Sequence, residues 1–125
     1  MKLLVAEDNL LSQQLMSMYM KRLGWEVVIV NDGLEAIESS RSGVFDVIIM
    51  DVDMPLLDGL EATQYIRTFN TKIPIIAISA YADEQMRDDC VKAGMTAFLS
   101  KPTTKAELVT VVNQCISGNR VISTL

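Results

Sequence analysis

Glu7-Asp8, Asp51, Asp53, Ser79 and Lys101 are the side chains whose types, taken together, suit a chemical task. Several acids brought to one place repel each other and resist ionisation unless a cation relieves them. A divalent, oxygen-liking ion does so, and Mg²⁺ suits a site with few protein ligands and several waters. A hydroxyl (Ser79) and an ammonium (Lys101) would then face an anion beside the metal. A phosphoryl group fits that slot, with catalysis resting on positioning and charge stabilisation. A carboxylate can form an acyl phosphate, so Asp51 is the natural nucleophile. Each residue alone has a plainer use. Asp8 would cap a helix, Asp51 would open a turn before Pro55, and Asp58-Gly59 is a turn dipeptide whatever the function. Ser79 would be a solvated loop residue and Lys101 a surface charge. The chemistry exists only if the chain gathers them.

The pattern of elements supplies that gathering. Short apolar runs at Lys2–Ala6, Glu26–Val30, Val47–Met50, Ile73–Ile78 and Ala97–Leu99 are mostly β-branched and nearly continuous, as in strands buried on both faces of a parallel sheet. Helical patterns lie between them. Leu11, Leu15, Met18 and Tyr19 repeat at helical spacing before Gly24. Asn31-Asp32 caps a short second helix ending near Gly43. Ala62, Ile66 and Phe69 form the inner face of a third, and a fourth runs from Asp83 to Gly94. Leu108, Val111, Val112, Cys115 and Ile116 stripe the last, which Thr104 and Glu107 open as a capping box and Gly118 ends. Met16, Met18 and Met20 splay around the first helix as core and interface filler. Strands alternating with helices give an α/β, doubly wound, five-stranded parallel sheet with five helices. Its ligand crevice lies outside the carboxyl ends of the strands. Those ends carry Glu7-Asp8, Asp51, Ser79 and Lys101.

Composition narrows the classes. The chain has 125 residues and half are hydrophobic, enough for one packed domain. A net charge of −5 opposes a nucleic-acid or anionic-membrane surface. Cys90 and Cys115 sit in helical segments without motif spacing, which suits a reduced, cytoplasmic chain. No apolar run is long enough to span a bilayer. With no histidine, the chain has no phosphohistidine chemistry of its own.

The stretch from Ile48 to Gly59, with Val5-Ala6-Glu7-Asp8-Asn9, Ala77-Ile78-Ser79-Ala80 and Phe98-Leu99-Ser100-Lys101-Pro102 in matching order and spacing, resembles the receiver domain of two-component response regulators. The wording of Asn9–Met16 is similar to receivers of hybrid histidine kinases. The resemblance covers essentially the whole chain and implies a flavodoxin-like strand order of 2-1-3-4-5. It implies a receiver domain over residues 1–119 and a tail or linker over 120–125. Asp51 would be the phosphorylated residue and Asp8 a direct or water-mediated Mg²⁺ ligand, with Mn²⁺ able to substitute. Asp51 itself and the backbone carbonyl of Asp53 would complete the ligands, with Glu7 one layer behind. Ser79 would be the switch hydroxyl, Lys101 the phosphoryl counter-ion, and the Lys101–Pro102 bond cis. Phe98 stands where the switch aromatic is often Tyr, so it has no phenolic hydrogen bond to offer.

The implied function is a phosphorelay: Mg²⁺-dependent transfer from a partner phosphohistidine to Asp51, without a multiple-turnover substrate. Partners would be a histidine kinase, a histidine phosphotransfer domain, or both, with Leu10-Leu11 available to dock a partner helix. Nucleic acid and membrane contacts are not expected of this domain. No effector domain follows residue 125, so the chain is expected to be stand-alone or a segment of a longer kinase. Tyr81 and Asp53, flanking the site, are expected to set how fast water removes the phosphoryl group.

Asp51-Val52-Asp53 also looks like the acid pair of haloacid-dehalogenase-type phosphatases, the alternative reading. Those proteins place the pair on their first strand and need more chain. A topoisomerase–primase metal domain would want a basic surface. A flavodoxin-type cofactor binder would want a hydroxyl- or Gly-rich loop where the first strand here ends in acids.

Overall fold

The structure is a computed structural model and describes residues 1–118. Strands and helices alternate strictly: β1 Lys2–Ala6, α1 Leu10–Arg22, β2 Glu26–Val30, α2 Gly33–Ser42, β3 Val47–Asp51, α3 Gly59–Arg67, β4 Ile75–Ser79, α4 Glu84–Ala93, β5 Ala97–Ser100 and α5 Lys105–Ile116. The sheet is parallel, in the order β2-β1-β3-β4-β5, as expected. β3 and β4 are buried along their whole length, which is why their sequences run apolar without alternation.

The pleat sends successive residues to opposite faces. Leu4, Ile48, Met50, Ile75, Ala77 and Phe98 face one core with residues of α2, α3 and α4. Leu3, Val5, Ile49, Ile76, Ile78 and Leu99 face the other, closed by Met16 and Met20 of α1 and Leu108, Val112 and Cys115 of α5. Each fully buried Leu or Ile stabilises this sandwich by about 1.5–3 kcal/mol. Every helix opens on a side-chain cap: Asn9, Asp32, Asp58, Asp83 and Thr104 each accept an N–H from the first turn.

Four details differ from expectation. α1 turns Met16 and Met20 inward, with Tyr19 beside them, while Leu11, Leu15 and Met18 stay exposed. The helix is apolar around most of its circumference, so period alone does not choose a face, and flexible methionines fill the core gap. β4 starts at Ile75, because Ile73 turns into the core ahead of Pro74, which has no N–H for the ladder. Phe69 lies past the end of α3 and carries the Arg41 guanidinium 4.9 Å over its ring instead of an inner face. Ile116, the last of the α5 stripe, is nearly half exposed. The anticipated tail, residues 120–125, lies outside the described residues.

Candidate functional site

Four connections at the carboxyl edge build the site. β1 runs into Glu7, whose backbone N–H still donates to Val30 O of β2 at 3.0 Å. That bond turns the Glu7 carboxylate inward, where it is buried. Asn9, not Asp8, caps α1 by accepting the Ser12 N–H at 3.0 Å, and its own N–H donates to Glu7 Oε2 at 3.2 Å. Asp8 is thereby released from capping and remains exposed at the rim.

Asp51 is the last residue of β3, the central strand, and is 4 % exposed. The Asp53 N–H donates to its Oδ1 at 3.1 Å. The chain returns immediately, with the Gly59 N–H donating to Val52 O at 2.9 Å, so α3 begins against the end of β3. A Cβ at Gly59 would collide with the Asp51 carbonyl, which fixes glycine there.

From β5, Lys101 reaches across the sheet edge. Its Nζ donates to Asp51 Oδ2 and stands against Glu7 Oε1, both at 2.8 Å. The Lys101 N–H donates to Ser79 O at 2.8 Å, and the Lys101–Pro102 peptide is cis. Ser79 is fully buried, and its Oγ accepts the Tyr81 N–H at 3.0 Å. Ligand oxygens of Glu7, Asp8 and Asp51 can lie within 4.8 Å of one another. The structure thus gathers Glu7, Asp8, Asp51 and Lys101, and brings Ser79 to the same edge turned toward the β4–α4 loop. Asp53 meets Asp51 through its backbone N–H, with its side chain in solvent. Phe98 is buried, and the Arg87 guanidinium of α4 lies 4.7 Å over its ring.

The electrostatics express crowding of like charge. Burial, then proton sharing with Glu7, pushes the Asp51 carboxyl up to about 7, and Lys101 only partly opposes this. Burial also disfavours the Glu7 anion, but hydrogen bonds with Asp51, Lys101 and the Asn9 N–H outweigh it and hold Glu7 below its ordinary value. Lys101 loses solvation, yet its two carboxylate partners raise it above the usual lysine range. The site therefore holds a little more negative charge than one lysine balances. An all-oxygen donor set of this kind fits a small hard dication.

Two neighbouring features were not readable from residue types. Gln13 of α1 donates its side-chain N–H to Glu7 O at 2.6 Å and to Asn31 Oδ1 at 2.7 Å, tying α1, β1 and β2 behind the acids. A cleft of about 330 Å³ opens beside Lys101 between α1 and the β5–α5 connection, with Leu11, Leu15, Tyr19 and Pro102 among its walls.

Residues 3–113 match the model of the response regulator receiver domain family. The chain is a receiver domain. Among curated relatives, this receiver is 34% identical over 122 residues to a peroxide stress-activated histidine kinase of Schizosaccharomyces pombe, matching 90% of the chain and 5% of the kinase. It is 36% identical over 111 residues to the transcription factor SKN7 of Candida albicans, matching 89% of the chain and 20% of that factor. The chain thus spans a small part of the curated relatives it matches. A crystal structure of the receiver domain of a sensor histidine kinase from Pseudomonas aeruginosa PAO1, which has magnesium in its active-site cleft, superposes with a TM-score of 0.87 at 36% identity, covering 93% of this chain and 97% of that one. As a receiver domain the chain is a phosphoacceptor module of phosphorelay signalling. The phosphatase alternative has no support: the acid pair stands at the end of the central third strand of a receiver sheet.

Proposed function

We propose that Asp51 is the phosphoacceptor and that Asp8, Asp51 and the Asp53 carbonyl hold Mg²⁺, with Glu7 orienting them from behind. The observation that carries this reading is Lys101 Nζ at 2.8 Å from both Asp51 and Glu7, at the focus of the carboxyl edge. When bound, the dication would neutralise charge developing on the transferred phosphoryl oxygens. The magnesium in the cleft of the Pseudomonas aeruginosa receiver supports the same assignment for this chain.

In the transfer, an Asp51 carboxylate oxygen forms a bond to phosphorus as the phosphohistidine N–P bond breaks. The imidazole leaves with the electron pair of that bond and takes a proton from solvent. Lys101 then gives up its hold on the carboxylate and turns to the new phosphoryl oxygens. Ser79 releases the Tyr81 N–H to meet them, drawing the β4–α4 loop inward. That movement shifts a pre-existing equilibrium at the face of α4, β5 and α5, with Phe98 as the responding aromatic. The donors are a histidine kinase, a histidine phosphotransfer domain, or both, in the cytoplasmic compartment. Leu10 and Leu11, each 67% exposed beside the crevice, offer a partner helix an apolar foothold. The domain turns over only its own acyl phosphate, and residues 1–119 suffice for it.

Intact mass after incubation with a small-molecule phosphodonor tests the reading, with and without Mg²⁺, for the parent and Asp51→Asn. One Mg²⁺-dependent phosphoryl adduct, absent from the variant, is expected. Steady release of phosphate that persists in Asp51→Asn would overturn it.

A further inference from the structure

Leu56 is the one non-glycine residue with positive φ (67°) among the described residues. The Leu57 N–H donates to Pro55 O at 2.7 Å, closing a three-residue γ-type turn around it. Turns of this hand are rare and strained, and a leucine in the left-handed region meets its own Cβ crowding. Glycine would occupy the position without strain. The side chain recovers nothing from the fold, since Leu56 is 79% exposed. It therefore pays twice, in backbone strain and in apolar surface left in water.

The turn itself is rigidly held. Its downstream arm is pinned where Leu57 O accepts the Gly33 N–H at 3.2 Å, and the loop closes through Gly59 N–H to Val52 O. Met54 and Leu57 pack against the core on either side. Leu56 is thus a fixed projection from the loop between Asp51 and α3, at the edge where Leu10, Leu11 and Tyr81 are also exposed. Exposed side chains from the first turn of α1 and from the β3–α3 and β4–α4 connections thus stand at the same edge as the buried acids Glu7 and Asp51.

We infer that Leu56 is a specificity-determining contact for the protein that delivers the phosphoryl group: the γ-turn holds its side chain outward against strain so that it seats on an apolar patch beside the partner's phosphohistidine. The inference rests on the reading of Asp51 as phosphoacceptor. Asp51 is 4% exposed, so a phosphohistidine must come down into the crevice to reach it. The surface carrying that histidine then lies against the rim, and a preset side chain loses little freedom on docking.

The test compares two donors on the parent, Leu56→Gly, Leu56→Ala and Leu56→Met, all with Mg²⁺. One donor is phosphoimidazole, which presents the reacting group without a protein surface. The other is a phosphorylated histidine phosphotransfer domain chosen because it phosphorylates the parent. Leu56→Gly is expected to raise the thermal midpoint by about 3 °C as strain is released. It should react with phosphoimidazole at the parental rate, yet lose about tenfold in kcat/KM with the protein donor, mainly through KM. Leu56→Ala, which keeps the strain and removes the side chain, should show the same tenfold loss without the thermal gain, and Leu56→Met should restore transfer. Parental transfer from the protein donor in both Gly and Ala variants would overturn the inference. An equal fall with both donors would overturn it too, making the loop a positioning element. A parent that forms no adduct with phosphoimidazole would mark failure of the phosphoacceptor reading itself.

Discussion

The two edges of the sheet are built on opposite terms. At the amino edge, Arg67 donates to Gly94 O at 2.9 Å, Asn70 O at 3.1 Å and Thr96 Oγ1 at 3.4 Å. The Thr96 hydroxyl in turn accepts the Ile75 N–H, and Asn70 Oδ1 accepts the N–H groups of Lys72 and Ile73. One cation there satisfies backbone carbonyls that need donors, and Gly94 takes the left-handed turn at φ 102° without cost. At the carboxyl edge two buried carboxylates share one lysine, and a leucine holds a positive-φ turn. One edge is optimised for the fold, and the other keeps uncompensated charge and backbone strain beside the acids.

The contrast makes Asp51→Asn the variant with the largest effect, and its two readouts should move in opposite directions. The phosphoryl adduct is lost entirely. Without divalent cation at pH 8, the variant should also melt at a higher temperature than the parent, because the amide removes a buried anion that only part of Lys101 balances. Thermal melts in chelator check this, and a lower midpoint for Asp51→Asn would refute the picture of a charge-frustrated edge.

Lys101→Met comes next. It strips both carboxylates of their cation while keeping the length of the side chain. Phosphorylation by a small donor should slow by about 10²-fold, the scale seen when a group that stabilises developing charge is removed. Rates measured at saturating Mg²⁺ separate this loss from weakened metal binding. At the other edge, Arg67→Ala should leave the phosphorylation rate unchanged and cost about 2 kcal/mol of stability, since several hydrogen bonds to a charged group disappear together. Chemical denaturation with the same rate assay shows whether the edges are separable in this way.

The pH dependence of the metal-free fold carries the same asymmetry. Asp51 binds its proton more tightly folded than unfolded, with its pKa raised from 3.8 to about 7. Its contribution is fully present below about pH 4 and disappears as pH rises through about 7. Glu7 is lowered, so its contribution is present above its ordinary value of 4.5 and disappears as pH falls. In chelator, the thermal midpoint should therefore decline from pH 6 to pH 8 in the parent and stay level in Asp51→Asn. Added Mg²⁺ should raise the parental midpoint more at pH 8 than at pH 6.

Much of this was legible in the residues. Nearly continuous β-branched runs marked a parallel sheet, and the rule for strand ends brought Glu7, Asp8, Asp51, Ser79 and Lys101 to one edge before any geometry was known. What escaped depended on choices that side-chain type does not encode. The inward face of α1 went to Met16 and Met20 because leucine and methionine are equally apolar and only the shape of the neighbouring core decides between them. Asn9 rather than Asp8 became the cap because the Glu7 N–H stays in the β1–β2 ladder and delays the helix by one residue. Gln13 was invisible for a similar reason, since its role depends on Glu7 O and Asn31 converging from two strands. The strain at Leu56 left no trace in the motif, where it reads as one more apolar residue after Pro55.

The smallest effect belongs to Tyr81, whose backbone N–H holds Ser79 Oγ while its ring stands 62% exposed at the rim. If Asp51 carries the phosphoryl group as proposed, Tyr81 and Asp53 flank it and are expected to screen it from attacking water. Tyr81→Ala preserves the backbone donor and removes the ring, so formation of the adduct should be unaffected. Loss of the adduct should quicken by a factor of about 3, a barrier change below 1 kcal/mol. Following the decay of phosphorylated protein by mass after donor removal gives the rate directly. An unchanged decay would mean that the rim on the β4 side does not screen the phosphoryl group. Control of its lifetime would then pass to Asp53, where Asp53→Asn is the variant to measure.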